Sequence, residues 1–355
     1  MVFMRESLLS LLVDPIEKSV LEAQVDQWNS KGDLMSGFLR GAGGRSYRIV
    51  NGIPRFVLTE DDSQIQTKDS FGFKWRQRET YESRRVSTVI RPWLIQRYGF
   101  ANLEDMREFF ASRRLILDAG CGSGFTASLW MNRTWQRGGE VEWVGLDISN
   151  AIDVARERLV AIPGTHFIQG DMLQMPFREW AFDTIFSEGA LHHTPSTELA
   201  LKSLVWSLAK GGEILFYVYR KKGPVREFTD DYVRGIVSRM KPEEAWDSIR
   251  SLTKLARSLA RLRKEVRVSE DIPLLGIKAG RYDIQRFIYW HFAKLYWNEA
   301  LSFEENNHVN FDWYHPRYAH RQTEEEVRRW CSESGLSITH VDVQKSGFTV
   351  RAIRT

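Results

Sequence analysis

Between residues 114 and 219, short apolar segments alternate with longer stretches in which apolar residues recur at helical spacing. The apolar segments have the length of buried strands and lie at 115–117, 141–146, 166–169, 184–186 and 213–219. The helical stretches between them include 151–159 and 198–208. Such alternation is typical of a parallel sheet covered by helices on both faces. The pattern therefore predicts a doubly wound α/β fold.

The flanking regions follow other patterns. Residues 1–60 predict a small, turn-rich module with strands at 47–50 and 54–58 around an Asn51-Gly52 turn. Residues 61–70 are polar and predict a linker, whereas 80–111 carry helical spacing. Thr323 and Glu326 predict a capping box that opens a last helix, and strands are predicted at 337–343 and 349–353.

These patterns divide the chain into five parts. We expect a small head over 1–60, a linker with helices over 61–113 and a ligand-binding core over 114–220. Residues 221–322, rich in helix-forming and aromatic residues, are expected to insert as a cap after the fifth strand of the core. Residues 323–355 are expected to return to the core as its closing helix and strands.

Composition and charge narrow the class of protein. A chain of 355 residues with 43% hydrophobic residues is long enough to bury a core without disulfide or metal staples. The net charge of +4 predicts solubility more than a partner. Cys121 and Cys331 are the two cysteines, which excludes a disulfide framework or a cysteine-rich metal site and favours the cytoplasm. We expect no signal peptide, no membrane span and no metal.

The candidate chemistry begins where the first core strand ends. That strand runs into Asp118-Ala119-Gly120-Cys121-Gly122-Ser123-Gly124, and a helix is predicted to follow. Glycines in such a turn allow the backbone to approach a ligand closely. The spacing is Gly-x-Gly-x-Gly, so the dinucleotide fingerprint Gly-x-Gly-x-x-Gly is not met.

The next two strands end in acidic residues. Asp147 follows the second strand, where a carboxylate accepts hydrogen bonds from ribose hydroxyls in other doubly wound nucleotide sites. Asp171 follows the third, where a carboxylate accepts a hydrogen bond from an adenine amino group. Since parallel strands end at one edge of a sheet, the pattern predicts a nucleotide-like ligand at this edge.

These residues, the segment 182–194 and Lys210-Gly211-Gly212 together resemble class I methyltransferases that depend on S-adenosylmethionine (SAM). The resemblance covers 114–219 and the closing strands. It implies a Rossmann-like sheet of seven strands, with SAM as cofactor and S-adenosylhomocysteine as product. The turn would hold the amino-acid end of SAM, Asp147 the ribose and Asp171 the adenine. The cofactor contacts implied by the resemblance are Asp118, Gly120, Cys121, Gly122, Gly124, Asp147, Ile148, Asp171, Met172, Ser187 and Glu188.

The head and the segment after it also resemble parts of bacterial methyltransferases. Gly44-Arg45-Ser46-Tyr47 and the run 52–56 resemble a zinc-ribbon-like head, but Asp14, Glu17, Arg40 and Gly43 replace its cysteine pairs. We therefore expect a degenerate head without zinc. The run 71–75 recurs with such heads, and Phe73 and Trp75 are predicted either to cover the cofactor or to pack the head on the core.

Transfer of a methyl group requires an aligned acceptor and removal of its proton, if it carries one. Glu188 and His193 are the candidate bases, with pocket shaping as the alternative role of His193. The segment Ser187-Glu188-Gly189-Ala190 lacks the Asp/Asn-Pro-Pro-aromatic motif found in the amino methylation of nucleobases. The two cysteines are badly placed for methylation of pyrimidine carbon 5.

The cap is the predicted substrate site. Its first half has a basic stretch at 250–267, either a solvated helix face or a contact for an anionic partner. Residues 306–320 are polar and aromatic without a cap or strand pattern, so they predict a loop that either lines a pocket or lies on the surface. The predicted substrate contacts are Arg281, Tyr282, Tyr289, His308, Asn310, Tyr314 and His315.

The leading hypothesis is methylation of an oxygen or nitrogen in a small molecule such as a sugar, glycan precursor or secondary metabolite. An RNA or protein methyltransferase is the first alternative, since it would use the basic stretch, although a nucleic-acid partner is not expected under the leading hypothesis. A SAM-binding subunit without activity is the second. A homodimer is compatible with an aromatic cap but is not argued by any residue.

Overall fold

The computed structural model describes residues 6–28, 34–136 and 140–355. A sheet of seven strands forms its centre, in the order β12-β13-β9-β8-β5-β6-β7. The strands are β5 (Leu115–Ala119), β6 (Glu142–Asp147), β7 (Thr165–Gln169), β8 (Phe182–Glu188), β9 (Leu208–Tyr219), β12 (Leu336–Val343) and β13 (Gly347–Arg354). The five strands from β7 to β9 are parallel, whereas β13 and β12 add antiparallel at one edge. The predicted doubly wound α/β fold is confirmed.

Side chains of β5 alternate between two hydrophobic cores. Leu115 and Leu117 face one core and Ile116 the other, so the strand is buried on both faces. The helices of the core region are α5 (Phe125–Trp130), α6 (Ala151–Leu159), α7 (Thr197–Ser207) and α12 (Glu324–Glu333). Strands β6 and β7 extend the sheet on one side of β5, whereas β8 and β9 extend it on the other side, so the strand order reverses at β5. Open α/β sheets bind ligands at the carboxyl ends of strands at such a point.

The head is an antiparallel sheet of four strands that shares the first core. Helix α1 (Glu6–Leu9) precedes β1 (Glu22–Trp28), β2 (Leu34–Arg40), β3 (Ser46–Val50) and β4 (Ile53–Pro54). The Phe56 amide donates to the Gln169 carbonyl at 2.7 Å, and the Val13 amide donates to the Pro176 carbonyl at 2.9 Å. The head is thereby fixed beside β7.

Asp14 and Glu17 occupy a turn that faces the turn around Gly43. The Tyr47 hydroxyl donates to Asp14 Oδ2 at 2.9 Å, and the Gly43 amide donates to Glu17 Oε2 at 3.0 Å. Arg45 forms an ion pair with Glu17 at 2.5 Å. Side-chain hydrogen bonds and an ion pair therefore join the two turns.

Three helices connect the head to the sheet. They are α2 (Asp62–Arg76), α3 (Arg84–Arg97) and α4 (Leu103–Ala111). The linker predicted at 61–70 is wrong, because Asp61 caps α2 by accepting a hydrogen bond from the Gln64 amide at 2.7 Å. The buried side of α2 includes the polar residues Gln64, Thr67 and Ser70, so no apolar periodicity marks it.

The segment between β9 and α12 forms a cap of helices and one hairpin. Its elements are α8 (Pro224–Val237), α9 (Pro242–Leu262), β10 (Glu265–Val268), β11 (Gly280–Asp283), α10 (Ile284–His291) and α11 (Phe303–Tyr314). The loop predicted at 306–320 is wrong over residues 306–314, which belong to α11. Ser302 and Glu305 form a capping box that starts this helix. The box predicted at Thr323 and Glu326 is confirmed at the start of α12.

Candidate active site

The glycine turn between β5 and α5 adopts a backbone that favours glycine. Gly120, Gly122 and Gly124 have φ values of 78°, 54° and 68°. A Cβ atom on Gly120 would lie 2.2 Å from the Ala190 Cβ atom, and one on Gly122 would lie 2.7 Å from the Trp75 indole nitrogen. The turn is therefore in close contact with the segment that follows β8 and with α2.

Asp147 ends β6 and holds the same turn. Its Oδ2 accepts a hydrogen bond from the Gly122 amide at 2.8 Å. Its Oδ1 accepts from the Ser149 amide at 2.8 Å and from the Ser149 hydroxyl at 2.6 Å. Burial raises the pKa of this carboxyl, against the effect of these hydrogen bonds. The side chain also lines the main cavity, so it links the turn to any ligand there.

Asp171 occupies the corresponding position after β7. It accepts hydrogen bonds from the Gln64 side-chain amide at 2.8 Å and from the Leu173 amide at 2.9 Å. Burial raises the pKa of its carboxyl. Helix α2 thus contacts both the glycine turn, through Trp75, and the acidic residue after the third core strand.

Glu188 ends β8 with both carboxylate oxygens engaged. The Tyr98 hydroxyl donates to Oε2 at 2.7 Å, and the Arg97 guanidinium forms an ion pair with Oε1. Arg97 is fully buried between the rings of Trp93 and Tyr217, whose centroids lie 3.8 and 4.2 Å from its guanidinium carbon. This arrangement makes Glu188 a fixed, paired carboxylate on the cavity wall.

His193 follows β8 and is buried on the cavity wall. Its Nδ1 lies 2.6 Å from the Tyr318 carbonyl oxygen, so Nδ1 carries the hydrogen and donates it. Burial lowers the pKa of His193 to about 4, which keeps the ring neutral near pH 7. Its Nε2 is then an acceptor rather than a charged donor.

Lys74 and Asp312 form an ion pair that joins α2 to α11 across the cavity wall. The Tyr219 hydroxyl, at the end of β9, donates to the other oxygen of Asp312 at 3.2 Å. Burial opposes the charge of Asp312, but Lys74 and neighbouring cations hold the pKa of its carboxyl below its usual value. A fixed negative charge therefore lies near His193.

One cavity of about 660 Å³ connects these groups. At one end it is lined by the carboxyl ends of the core strands, and at the other by the cap. The sequence-predicted residues on its wall are Gly120, Asp147, Ile148, Asp171, Met172, Glu188, His193, Trp75, Tyr289 and His308. Wall residues that the sequence did not single out for the site include Gln64, Lys74, Tyr219, Lys222, Lys294 and Asp312.

Six residues predicted to contact the cofactor are not on the cavity wall: Asp118, Cys121, Gly122, Gly124, Ser187 and Phe73. Asp118 is buried beneath the turn, where burial and the Asp147 charge raise its pKa to about 8. The Ser187 hydroxyl donates to the Ala119 carbonyl at 2.9 Å. These two side chains support the turn from behind, and Phe73 packs among cap residues instead.

Five residues predicted to contact the substrate also lie away from the wall. Arg281 and Tyr282 belong to the β10–β11 hairpin. The Asn310 side chain bonds the backbone of Tyr296, and the Tyr314 hydroxyl donates to Asp230 at 2.9 Å. His315 Nδ1 lies 2.8 Å from the Ser70 hydroxyl. The last three stabilise the cap and its contact with α2.

Comparisons with known proteins bear on this site. Residues 117–216 match a family model described as a methyltransferase domain. A malonyl-[acyl-carrier protein] O-methyltransferase of Erwinia pyrifoliae is 31% identical over 147 residues, which cover 41% of this chain and 51% of that protein. A probable tRNA methyltransferase 9B of Mus musculus is 28% identical over 155 residues, which cover 40% and 32%. The chain thus spans about half of the first relative's length and less of the second's.

Over residues 117–216 the chain is therefore similar to a methyltransferase domain. A solved SAM-dependent methyltransferase from Mesorhizobium loti covers 71% of this chain and 95% of its own, with 17% identity and a TM-score of 0.41. The similarity to methyltransferases implies SAM as the methyl donor. The site fits this cofactor, because two buried carboxylates and a glycine turn without room for a Cβ atom meet at the cavity.

Over the described ranges 6–28, 34–136 and 140–355, the structure contains neither a metal-binding cluster nor a membrane-spanning helix. No group of three or more His, Cys, Asp or Glu side chains is arranged to hold a metal ion there. Within the same ranges, no helix combines the length and the apolar character needed to cross a bilayer.

Proposed function

We propose that the protein transfers the methyl group of SAM to an oxygen or nitrogen of a small molecule. The observation that carries this proposal is the continuous cavity between the methyltransferase domain and the cap. Its volume of about 660 Å³ falls in the range of small-molecule sites. Helices α2, α10 and α11 contribute to its wall, so an acceptor has to fit inside the protein.

In this proposal the cofactor occupies the end of the cavity beside the core strands. Asp147 holds the ribose, Asp171 and Met172 face the adenine, and Gly120 allows the backbone to approach the amino-acid end. Trp75, packed against the turn, shields this end from water. SAM supplies a methyl group already activated for displacement, so the remaining task of the protein is to align the acceptor.

His193, Tyr219 and Asp312 are the groups we assign to the acceptor. His193 is neutral near pH 7, and its Nε2 accepts a hydrogen bond from an acceptor hydroxyl or amine and orients it. Its low pKa makes it a weak base, so orientation is its main role. Glu188 is held by Arg97 and Tyr98, and we assign it to the wall of the cofactor site.

The test is transfer of label from methyl-labelled SAM in a metabolite-containing lysate of the host, with products separated by size. Label in the small-molecule fraction is the expected result. Label on RNA or protein would overturn the proposal. No label at all, with SAM binding shown by calorimetry, would favour a subunit that binds SAM without activity.

RNA methylation is the second candidate, favoured by one surface of the cap. Lys254 and Arg261 on α9 are exposed, as are Arg263 and Lys264 after it, and a named relative is a probable tRNA methyltransferase. If RNA is the substrate, neutralising Arg257, Arg261 and Arg263 together abolishes its labelling. The salt dependence of activity falls with the lost phosphate contacts.

A further inference from the structure

Four lysine and arginine residues of the cap line the cavity. Arg226 is paired with Asp230, and we call the other three, Lys222, Arg286 and Lys294, the cap cations. Lys222 follows β9, Arg286 lies on α10 and Lys294 follows α10. They come from two parts of the cap insertion, one before α8 and one around α10, and all three lie on the cavity wall. The basic stretch of α9 contributes none of them.

The carboxylates near the cap end of the cavity are engaged elsewhere. Asp312 pairs with Lys74, and Asp230 pairs with Arg226. Glu305 accepts from Ser83 and lies 3.5 Å from Arg85. Over the described ranges of the chain, none of the cap cations lies within 4 Å of a carboxylate oxygen. The cap end of the cavity therefore has an excess of positive charge.

Among the cap cations, Lys294 gives the strongest support for a bound anion, because this residue is only 7% exposed. Its ammonium lies 4.3 Å from the centroid of the Trp313 ring. Burial lowers the pKa of Lys294 to about 7 and that of Lys222 to about 7 as well. The Lys222 ammonium donates to the Arg220 and Ser346 carbonyl oxygens, so it lacks a counter-charge rather than hydrogen bonds. A buried ammonium without a counter-charge is costly, and an anionic ligand in the cavity would supply that charge to both lysines.

We propose that the acceptor molecule is an anion, with a carboxylate or phosphate group bound by Lys294, Lys222 and Arg286. This inference rests on the proposed small-molecule methyltransferase activity and narrows its substrate class. Both groups are compact, negatively charged oxygen acceptors, which is the chemistry that ammonium and guanidinium groups bind most strongly.

A series of side-chain contacts along the cavity wall connects Lys294 in the cap to Trp75 beside the glycine turn. The Trp313 ring, beneath Lys294, packs against Tyr219 with centroids 4.6 Å apart. Tyr219 donates to Asp312, which pairs with Lys74, and Lys74 lies 3.9 Å from the centroid of Trp75. The acceptor atom would then lie beside Tyr219 and His193, with the anionic group towards the cap.

The test begins with the labelled small molecules from the transfer experiment. They are passed over an anion exchanger at pH 8, and the retained label is treated in two ways. Loss of retention after phosphatase identifies a phosphate ester, and loss after carbodiimide coupling to a neutral amine identifies a carboxylate. The expected result is retained label that one of these treatments releases.

Variants then test the residues. Lys294→Met and Arg286→Met are each expected to raise the KM for the retained acceptor fraction about 10- to 100-fold, the effect of losing one charged hydrogen bond. The Kd for SAM, measured by calorimetry, should stay within twofold and shows that each variant is folded. Lys210→Met is the control, because Lys210 is exposed at the opposite end of β9 and does not line the cavity.

Three results would overturn the inference. Label in the unretained, uncharged fraction refutes the anionic acceptor but leaves the small-molecule activity intact. An unchanged KM in both variants, with SAM bound normally, refutes the role of the cap cations. Absence of any labelled small molecule removes the proposed function itself, and the inference with it.

Discussion

Lys74 and Asp312 form an ion pair although 238 positions separate them in the chain. Lys74 comes from α2, ahead of the methyltransferase domain, and Asp312 from α11 of the cap. The Lys74 side chain is only 7% exposed. The pair therefore joins α2, which covers the glycine-turn end of the cavity, to α11 at the cap end.

Removing one partner of this pair is expected to destabilise the protein. Lys74→Met leaves the Asp312 carboxylate without its main counter-charge, and the free energy of unfolding should fall by about 3 kcal/mol, the usual cost of breaking a buried pair. Urea unfolding measures this. The double variant Lys74→Met, Asp312→Asn should be less destabilised than the sum of its single variants. Strict additivity would show that the two side chains are not coupled.

The depressed pKa of His193 predicts a pH dependence of stability. The unfolded chain binds the histidine proton near pH 6.5 and the folded chain only near pH 4, so the unfolded state holds more protons between these values. The contribution to stability is complete above pH 6.5. It falls by about 1.4 kcal/mol per pH unit as the pH drops towards 4.

Urea unfolding at pH 7, 6 and 5 checks this slope. His193→Gln should reduce the slope by the share of one histidine, whereas the other buried histidines keep their contribution. Asp312 faces His193, and its lowered pKa keeps it charged throughout this range, so it does not mask the effect. Equal slopes in both proteins would contradict the assignment.

Gly122→Ala should weaken SAM binding more than the same substitution at a glycine that has free space around it. The new Cβ atom would lie 2.7 Å from the Trp75 indole nitrogen, and φ is 54°. Gly211→Ala is a matched control, because Gly211 has φ of 73° but no atom within 4 Å of a new Cβ. Both changes carry a backbone cost of about 1 kcal/mol.

Calorimetry with SAM separates the two effects. Gly122→Ala should raise the Kd at least tenfold, whereas Gly211→Ala should leave it within twofold. If both variants bind SAM equally well, the contact between Trp75 and the turn has no part in binding.

Asp147→Asn tests the assigned ribose contact. The change replaces one carboxylate oxygen by an amide donor that faces the Gly122 amide or the Ser149 amide, so the turn loses an acceptor. We expect the Kd for SAM to rise about 10- to 100-fold, as expected when a charged hydrogen bond is lost. Asp153→Asn on α6, which breaks an ion pair with Arg55, is the control and should bind SAM normally.

The features of the site that could be predicted from the sequence are those set by residues next to each other in the chain. Gly120 and Asp147 lie at the ends of apolar strands, and their positions at the sheet edge follow from a short pattern that such sheets repeat. The strands themselves alternate with helices in a way that defines the fold. For these elements the local sequence carries most of the structural information.

The parts that were predicted wrongly depend on distant partners. Asn307 accepts a hydrogen bond from Thr253, 54 positions away, and Gln64 donates one to Asp171, 107 positions away. Because these buried helix faces carry polar residues, their sequences predict loops instead of helices. Lys74 and Asp312 lay inside segments singled out for their aromatic residues, but nothing local shows that they pair. The capping box of Ser302 and Glu305 was the one local signal that would have located α11.

Helix α2 contacts three places at once: Asp171 through Gln64, the glycine turn through Trp75, and the cap through Lys74. In the proposed function, α2 covers the cofactor while all three contacts hold. Whatever displaces α2 loosens the acceptor compartment in the same movement. Exchange of the donor and departure of the methylated product would then share one opening step.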